Sequence, residues 1–343
     1  MNQGFDIGNV HIGGCVLNAP MTGISDLPFR VAASKLGAPY VATEMVACEL
    51  LARGRVDVVR RAAVGEGLPL MVVQLVGRDQ HWIAQGAAMA QAAGAHIIDL
   101  NMGCPAKEVS GKLSGSALMR DLDKAERLMA AAIDAVKIPV TLKIRLGWDD
   151  ENKNAPELAM RAQSIGIKAI TVHGRTRQQF YKGVADWRAV AKVKAATRLP
   201  VIVNGDVRDA FSAREAIAQS GADAIMIGRG AYGRPWIASS IEHALQSGSA
   251  GIIEPKLSER LDIALDHFRD SLRFYGDALG LKIFRKHLGW YIQNAPWPVC
   301  VNARRAAKST LCRITQPCEI ETALSCLWSG EDYNTSSITA ETS

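Results

Sequence analysis

The chain has 343 residues, of which 48% are hydrophobic and 22% charged, with a formal net charge of +6. That length can bury one large domain and a smaller partner. The composition is too polar for a membrane protein, and apolar runs such as Leu70 to Val76 fall far short of the roughly 20 residues of a membrane helix. The opening residues, MNQGFDIGNVHIGG, show neither a basic leader nor the apolar stretch of a secretory signal, so a cytoplasmic location is expected. Seven cysteines without a CxxC pair speak against a disulfide framework and against a zinc site. Reduced thiols, no metal and a monomeric chain are expected.

Short apolar runs recur along the chain, each followed by a polar or Gly-rich tip and then a helical stretch. In order they are VLNAP (16 to 20), YVATEM (40 to 45), LMVVQLV (70 to 76), HIIDLN (96 to 101), PVTLKIR (139 to 145), AITVHGR (169 to 175), PVIVNGD (200 to 206) and AIMIGRG (224 to 230). Ala-rich segments between them, such as His81 to Ala93, Asp123 to Val136 and Asp209 to Ser220, have helical spacing. Eight buried strands alternating with helices predict a closed TIM (β/α)8 barrel, favoured over an open doubly wound sheet with the same local signature. The barrel spans 1–247. Gly248-Ser-Ala-Gly251 reads as a linker, 257–328 as a small C-terminal all-helical domain, and 329–343 as a disordered polar tail.

In a barrel, the active site lies at the C-terminal ends of the strands, where this sequence concentrates its polar residues. Gly228-Arg-Gly-Ala-Tyr-Gly233 matches GxGxxG, but it follows the last strand of the series, whereas a dinucleotide fold would place it after the first. A phosphate site in the last loops of a barrel suits that position, with a tight turn as the plainer alternative. Asn204-Gly205-Asp206 ends the seventh strand beside it and is either a further set of ligand contacts or only a turn.

Lys143 lies inside the apolar run VTLKI, where an unpaired ammonium is costly. Its partner is either a carboxylate such as Asp99 or the electron-rich edge of a redox ring such as a flavin. Gln74, in the middle of another apolar strand, is either a contact to a ring amide edge or a buried glutamine bonded to backbone.

Cys104 sits on a Gly-Cys-Pro loop after the fourth strand, close to Asn101. A thiol there is mostly protonated at neutral pH yet acidic enough to protonate a carbanion. Cys15, Cys48 and Cys326 read as inert core residues. His173, Arg175 and Arg145 close the sixth and fifth strands. The histidine is either a ligand contact or a satisfied structural residue, and the arginines suit an anionic substrate or simple solvation.

From Leu281 to Arg313 there are Lys282, Arg285, Lys286, Arg304, Arg305, Lys308 and Arg313 and no acid, interleaved with Phe284, Trp290, Tyr291 and Trp297. That pattern suits phosphate contacts and stacking on unpaired RNA bases, or else a solvated helix face with aromatics in the core.

Taken together, the strings Ala19-Pro-Met-Thr-Gly-Ile-Ser-Asp26, Asp99-Leu-Asn-Met-Gly-Cys-Pro-Ala-Lys107, Lys112-Leu-Ser-Gly-Ser116, Thr141-Leu-Lys-Ile-Arg145, Val172-His-Gly-Arg-Thr176, Val203-Asn-Gly-Asp206 and Met226-Ile-Gly-Arg229 resemble the tRNA-dihydrouridine synthases, most of all the bacterial B type. The resemblance runs from about Ile12 to at least Asn294. It implies an FMN-binding barrel and a helical tRNA-binding domain, with NADPH or NADH as reductant. It also implies that Pro20, Met21, Thr22, Gln74, Lys143, His173, Asn204, Gly205, Asp206, Gly228 and Arg229 contact FMN, and that Cys104 is the proton donor. The family often has alanine at the position of Thr22, a departure that a backbone contact would tolerate. A flipped uracil stacked on the flavin would be held by Asn101 and Arg175, with Arg145 as a further substrate contact. Against this stand another FMN barrel acting on a small molecule, such as a dihydroorotate or enoate oxidoreductase, and a non-catalytic RNA-binding regulator. The basic helical segment disfavours the first. Intact Cys104 and Lys143 disfavour the second.

Overall fold

The computed structural model describes residues 4–65, 68–111, 113–295 and 300–329. These fall into two compact units, one up to Ala231 with Trp236–Ile253, the other Tyr232–Pro235 with the chain from Glu254 onward.

The first unit opens with a short antiparallel hairpin, β1 (Phe5–Ile7) and β2 (Val10–Ile12), which the apolar runs did not reveal. Eight parallel strands follow: β3 (Val16–Asn18), β4 (Val46–Ala47), β5 (Val72–Val76), β6 (Ile97–Met102), β7 (Val140–Arg145), β8 (Ile170–His173), β9 (Val201–Asn204) and β10 (Ala224–Ile227). From β4 to β10 each strand pairs with the next, and β10 pairs with β3. Parallel bridges Asn18–Val41 and Ala42–Val72 close the ring, so the sheet is the expected barrel and not an open one.

The second stave differs from the expected continuous strand over 40 to 45. It pairs at Val41 and Ala42, breaks, and resumes at Val46. The break has a local cause: the Thr43 hydroxyl, rather than a backbone carbonyl, accepts the Gln74 N–H at 2.9 Å.

Strands such as β5, β9 and β10 are buried at every position. Each Val, Leu or Ile removed from water contributes about 1.5–3 kcal/mol, which explains why both faces are apolar below the mouth. Helices cover the outside, and five of them start on an aspartate whose carboxylate accepts first-turn N–H groups: Asp26, Asp79, Asp121, Asp186 and Asp209. Such a cap contributes about 1 kcal/mol. The last helix, Ile237–Ser247, ties back to the first strand, because Glu242 Oε2 accepts from the N–H groups of Cys15 (2.7 Å) and Val16 (2.8 Å).

The second unit contains helices Leu257–Tyr275, Asp277–Asn294, Val301–Leu311 and Pro317–Ser329. Phe284 and Tyr291 are fully buried, with Phe268 against Phe284 at 4.9 Å between ring centroids. This corrects the expectation that they offer stacking faces to RNA: their helical spacing is that of the core stripe. Trp290 is half-buried and stacks on Tyr232 at 4.0 Å. Trp297 and all of the expected tail except Ser329 lie outside the described residues. Lys282, Lys286, Arg305 and Arg313 are exposed. Among the described residues no helix is long and apolar enough to cross a membrane.

Candidate active site

Strand register brings the polar residues together. Gln74, Asp99 and Thr141 are level neighbours across β5, β6 and β7; Asn101 and Lys143 pair one pleat further along, and Arg145, His173 and Asn204 one pleat beyond that. Side chains two apart on a strand share a face, so these rows form one polar layer at the C-terminal end of the barrel.

Cys104 stands on the loop leaving β6. Its N–H donates to Asn101 Oδ1 at 2.9 Å, and its carbonyl accepts from Ser116 N (3.0 Å) and Ser116 Oγ (2.8 Å). Gly115 sits against the same loop with φ +58°, and a Cβ there would lie 2.9 Å from the Cys104 carbonyl, so only glycine fits. Burial pushes the thiol above its ordinary range, against the pull of the Ala106 N–H and the Arg145 and Lys143 charges. The side chain is therefore a neutral S–H donor at physiological pH. By contrast Cys15 and Cys48 are buried as expected, both pushed up to about 12 by burial, whereas Cys326 is half-buried and not in the core.

Lys143 donates to Asn204 Oδ1 at 3.1 Å, and Asn204 Nδ2 donates to the Met226 carbonyl at 2.8 Å. The alternative ion pair with Asp99 is not formed. Asp99 instead accepts from Thr141 Oγ1 and Gln74 Nε2, each at 2.7 Å. Gln74 in turn accepts from Asn101 Nδ2 at 2.8 Å. Removal from water holds the Lys143 ammonium down at about 8, beyond what the nearby Asp99 restores.

Since an unfolded lysine titrates near ~10.4, the folded chain binds fewer protons between these values, and this group's contribution to stability rises across that window. Below pH 8 the burial penalty is present in full. In protein free of any bound ligand, Lys143→Met is thus expected to raise the melting temperature relative to wild type more at pH 7 than at pH 10. A difference independent of pH would contradict the assignment.

His173 accepts from Arg175 Nη1 at 3.2 Å through Nε2. A guanidinium only donates, so the ring is the neutral Nδ1–H tautomer. Burial first, then the charges of Arg145, Lys143, Arg175 and Arg229, hold it well below the ordinary histidine range.

The two mouth arginines are placed differently from the expectation of substrate contacts. Arg175 is buried and donates to the carbonyls of Lys182 (3.0 Å) and Gly183 (2.7 Å) and to Asp206 Oδ2 (2.6 Å). Arg145 is equally buried and donates to the carbonyls of Gly103, Thr176 and Phe180, each at 2.8 Å. Their main hydrogen bonds brace the loops after β6 and β8.

Asp206 is likewise turned inward, with φ +58°. Burial pulls its carboxyl upward, but the Arg175 hydrogen bond, the Ala185 N–H and the charges of Arg175 and Arg229 outweigh this and hold it below its usual value. Gly205 beside it has φ +118°, and a Cβ there would come within 3.0 Å of His173.

Met21, in the loop after β3, meets the β10 end at Gly228: a Cβ on Gly228 would find Met21 Sδ at 3.9 Å and nothing nearer. Pro20 is half-buried and Thr22 exposed on the same loop. Arg229 reaches Asp206 Oδ1 at 3.2 Å.

Tyr181 is a feature that pattern reading missed. Its half-exposed ring has the Arg145 and Arg229 guanidiniums at 5.5 and 5.4 Å and His173 at 6.4 Å. An aromatic pair in the polar loop after VHGRT was the available signal.

A family model described as dihydrouridine synthase matches residues 17–328. A probable tRNA-dihydrouridine synthase of Rhodobacter capsulatus is 51% identical over 296 residues, covering 85% of this chain and 90% of the relative. A tRNA-dihydrouridine synthase B of Vibrio cholerae is 43% identical over 291 residues, covering 84% and 89%. Among solved structures, morphinone reductase superposes with a TM-score of 0.54 at 13% identity, covering 75% of this chain and 91% of that one. A 2-naphthoyl-CoA reductase superposes with a TM-score of 0.57 at 11% identity, covering 72% and 52%. At such identities the likeness is one of fold alone. The family match spans the barrel, the Cys104 loop and the helices beyond Glu254, and on it the chain belongs to the dihydrouridine synthase family.

Proposed function

We propose that the chain reduces the C5–C6 double bond of uridine in tRNA to give 5,6-dihydrouridine, with FMN as bound cofactor and NADPH or NADH as reductant. The observation that carries this reading is the Cys104 thiol, fixed through its backbone beside a half-buried lysine at the mouth of a barrel. The names of the relatives at 43% and 51% identity support the substrate.

The polar layer fits a flavin. Among the described residues, Lys143 makes one hydrogen bond and keeps two donors for an electron-rich ring edge. His173 keeps its Nδ1–H. Gly228 leaves open space where any side chain would stand, as close backbone approach to a ligand requires. Gln74, Lys143 and His173 would hold the ring. The backbone of Pro20 to Thr22 with Asn204, Gly205, Asp206, Gly228 and Arg229 would hold the side chain and phosphate. Asp206 would act there by aiming Arg229, since its own charge disfavours an anion. FMN would supply the hydride.

Cys104 would then give its proton to carbon 5 of the uracil from the opposite face, and Asn101 would orient the base. The exposed Lys282, Lys286, Arg305 and Arg313 suit the RNA backbone, and a tRNA substrate accords with a cytoplasmic location. The test is to incubate the purified protein with NADPH and an unmodified tRNA transcript and to measure dihydrouridine by mass spectrometry. The expected result is a yellow protein that forms dihydrouridine at a defined site. A preparation that takes up no flavin and leaves the RNA unchanged would refute the reading.

A further inference from the structure

A buried carboxylate that this chemistry leaves unused is Asp99. It is 2% exposed, and both its oxygens are occupied, Oδ1 by the Thr141 hydroxyl and Oδ2 by Gln74 Nε2, each at 2.7 Å. A side-chain amide can present either its N–H2 or its carbonyl to a neighbour, but a carboxylate oxygen facing Gln74 only accepts. Gln74 must therefore turn its nitrogen to Asp99, which leaves Oε1 on the far side, where it accepts from Asn101 Nδ2 at 2.8 Å. Asn101 must then turn Oδ1 away, and that oxygen accepts from the N–H groups of Cys104 (2.9 Å) and Gly103 (3.2 Å). Those backbone groups only donate, so both ends of the relay require the same orientation of both amides.

We propose that Asp99 is a positioning residue that sets the direction of this relay, so that Cys104 is held for proton donation and the remaining N–H of Gln74 and of Asn101 is left for a ligand. Its oxygens are taken up by Gln74 and Thr141, so Asp99 acts through Gln74 and Asn101 rather than directly on a ligand. The inference rests on the proposed function for its meaning in catalysis, but its geometry is tested on the thiol itself.

The decisive comparison is between Asp99→Asn and Asp99→Leu. An asparagine can still offer an oxygen to Gln74 and its nitrogen to Thr141, so the relay keeps its direction without the charge. Leucine offers nothing, and Gln74 loses the contact that fixes it. Gln74→Met is a second disruption of similar length, which removes both the donor to Asp99 and the acceptor of Asn101 and serves if the leucine variant does not fold.

The readout is the rate at which iodoacetamide alkylates Cys104, followed on its peptide by mass spectrometry, with dihydrouridine formation measured alongside. Alkylation is expected to quicken about five-fold in Asp99→Leu and in Gln74→Met, the effect of one net hydrogen bond on a local opening, and to stay within about two-fold of wild type in Asp99→Asn. The loss of dihydrouridine formation should fall on kcat more than on KM and be largely rescued in Asp99→Asn. Wild-type alkylation in both disrupted variants, or an asparagine variant as loosened as the leucine one, would overturn the proposal. Wild-type protein without dihydrouridine activity would instead refute the functional reading and leave the alkylation result standing.

Discussion

Cys104→Ala protein is expected to remain folded and yellow while its dihydrouridine formation falls by ~10²–10⁴, the usual contribution of a positioned general acid. The fold should survive because the loop is held by backbone groups, the N–H to Asn101 and the carbonyl to Ser116, none of which the substitution removes. In the proposed mechanism hydride delivery to carbon 6 would leave charge on carbon 5, and without the thiol that carbon would have to find a proton from water in a half-buried site. Because burial raises the thiol above its ordinary range, the wild-type rate should hold through neutral pH and decline only at alkaline pH, where Lys143, held down at about 8, and then the thiol lose their protons. Cys104→Ser, whose hydroxyl is a far weaker acid, should be nearly as impaired. Single-turnover reduction of tRNA by prereduced enzyme measures this step directly, and an alanine variant with a wild-type rate would remove Cys104 from the mechanism.

Pattern alone made the barrel legible because its strands are buried on both faces and so read as unbroken apolar runs. The stave at 41 to 47 was blurred because a side chain, Thr43, replaces a backbone partner there, which no periodicity shows. The hairpin at Phe5–Ile12 escaped because its strands are three residues each, although the Gly8-Asn9 pair between FDI and VHI was the available turn signal.

Among the site residues, Lys143, His173 and Asn204 were legible as polar groups at the ends of apolar strands, which register brings together, and Cys104 as a thiol on the loop after one. The placement of Arg145 and Arg175 was not. A charged residue at a strand end looks the same in sequence whether it faces a substrate or clamps the carbonyls of neighbouring loops. The Asp99 relay was equally hidden, because it depends on which residues fall level across three strands.

Arg175→Met is expected to destabilise the protein by about 3–5 kcal/mol, the usual cost of removing one partner of a buried ion pair. Arg175 has 1% of its side chain exposed and Asp206 13%, at 2.6 Å, so the carboxylate left behind keeps only Arg229 at 3.2 Å, which is half-exposed, and the Ala185 N–H. The carbonyls of Lys182 and Gly183 lose their donor as well, so the loop after β8 should become protease-sensitive before the barrel unfolds. The cost is of an uncompensated charge rather than of a favourable pair, and a double variant separates the two. Arg175→Met with Asp206→Leu should be less destabilised than the sum of the single changes, since neither charge is then stranded. Urea unfolding of the four proteins gives the coupling. Additive losses, or an Arg175→Met protein within 1 kcal/mol of wild type, would show that the pair is solvated in solution and that Arg175 is free to meet a ligand at the mouth after all.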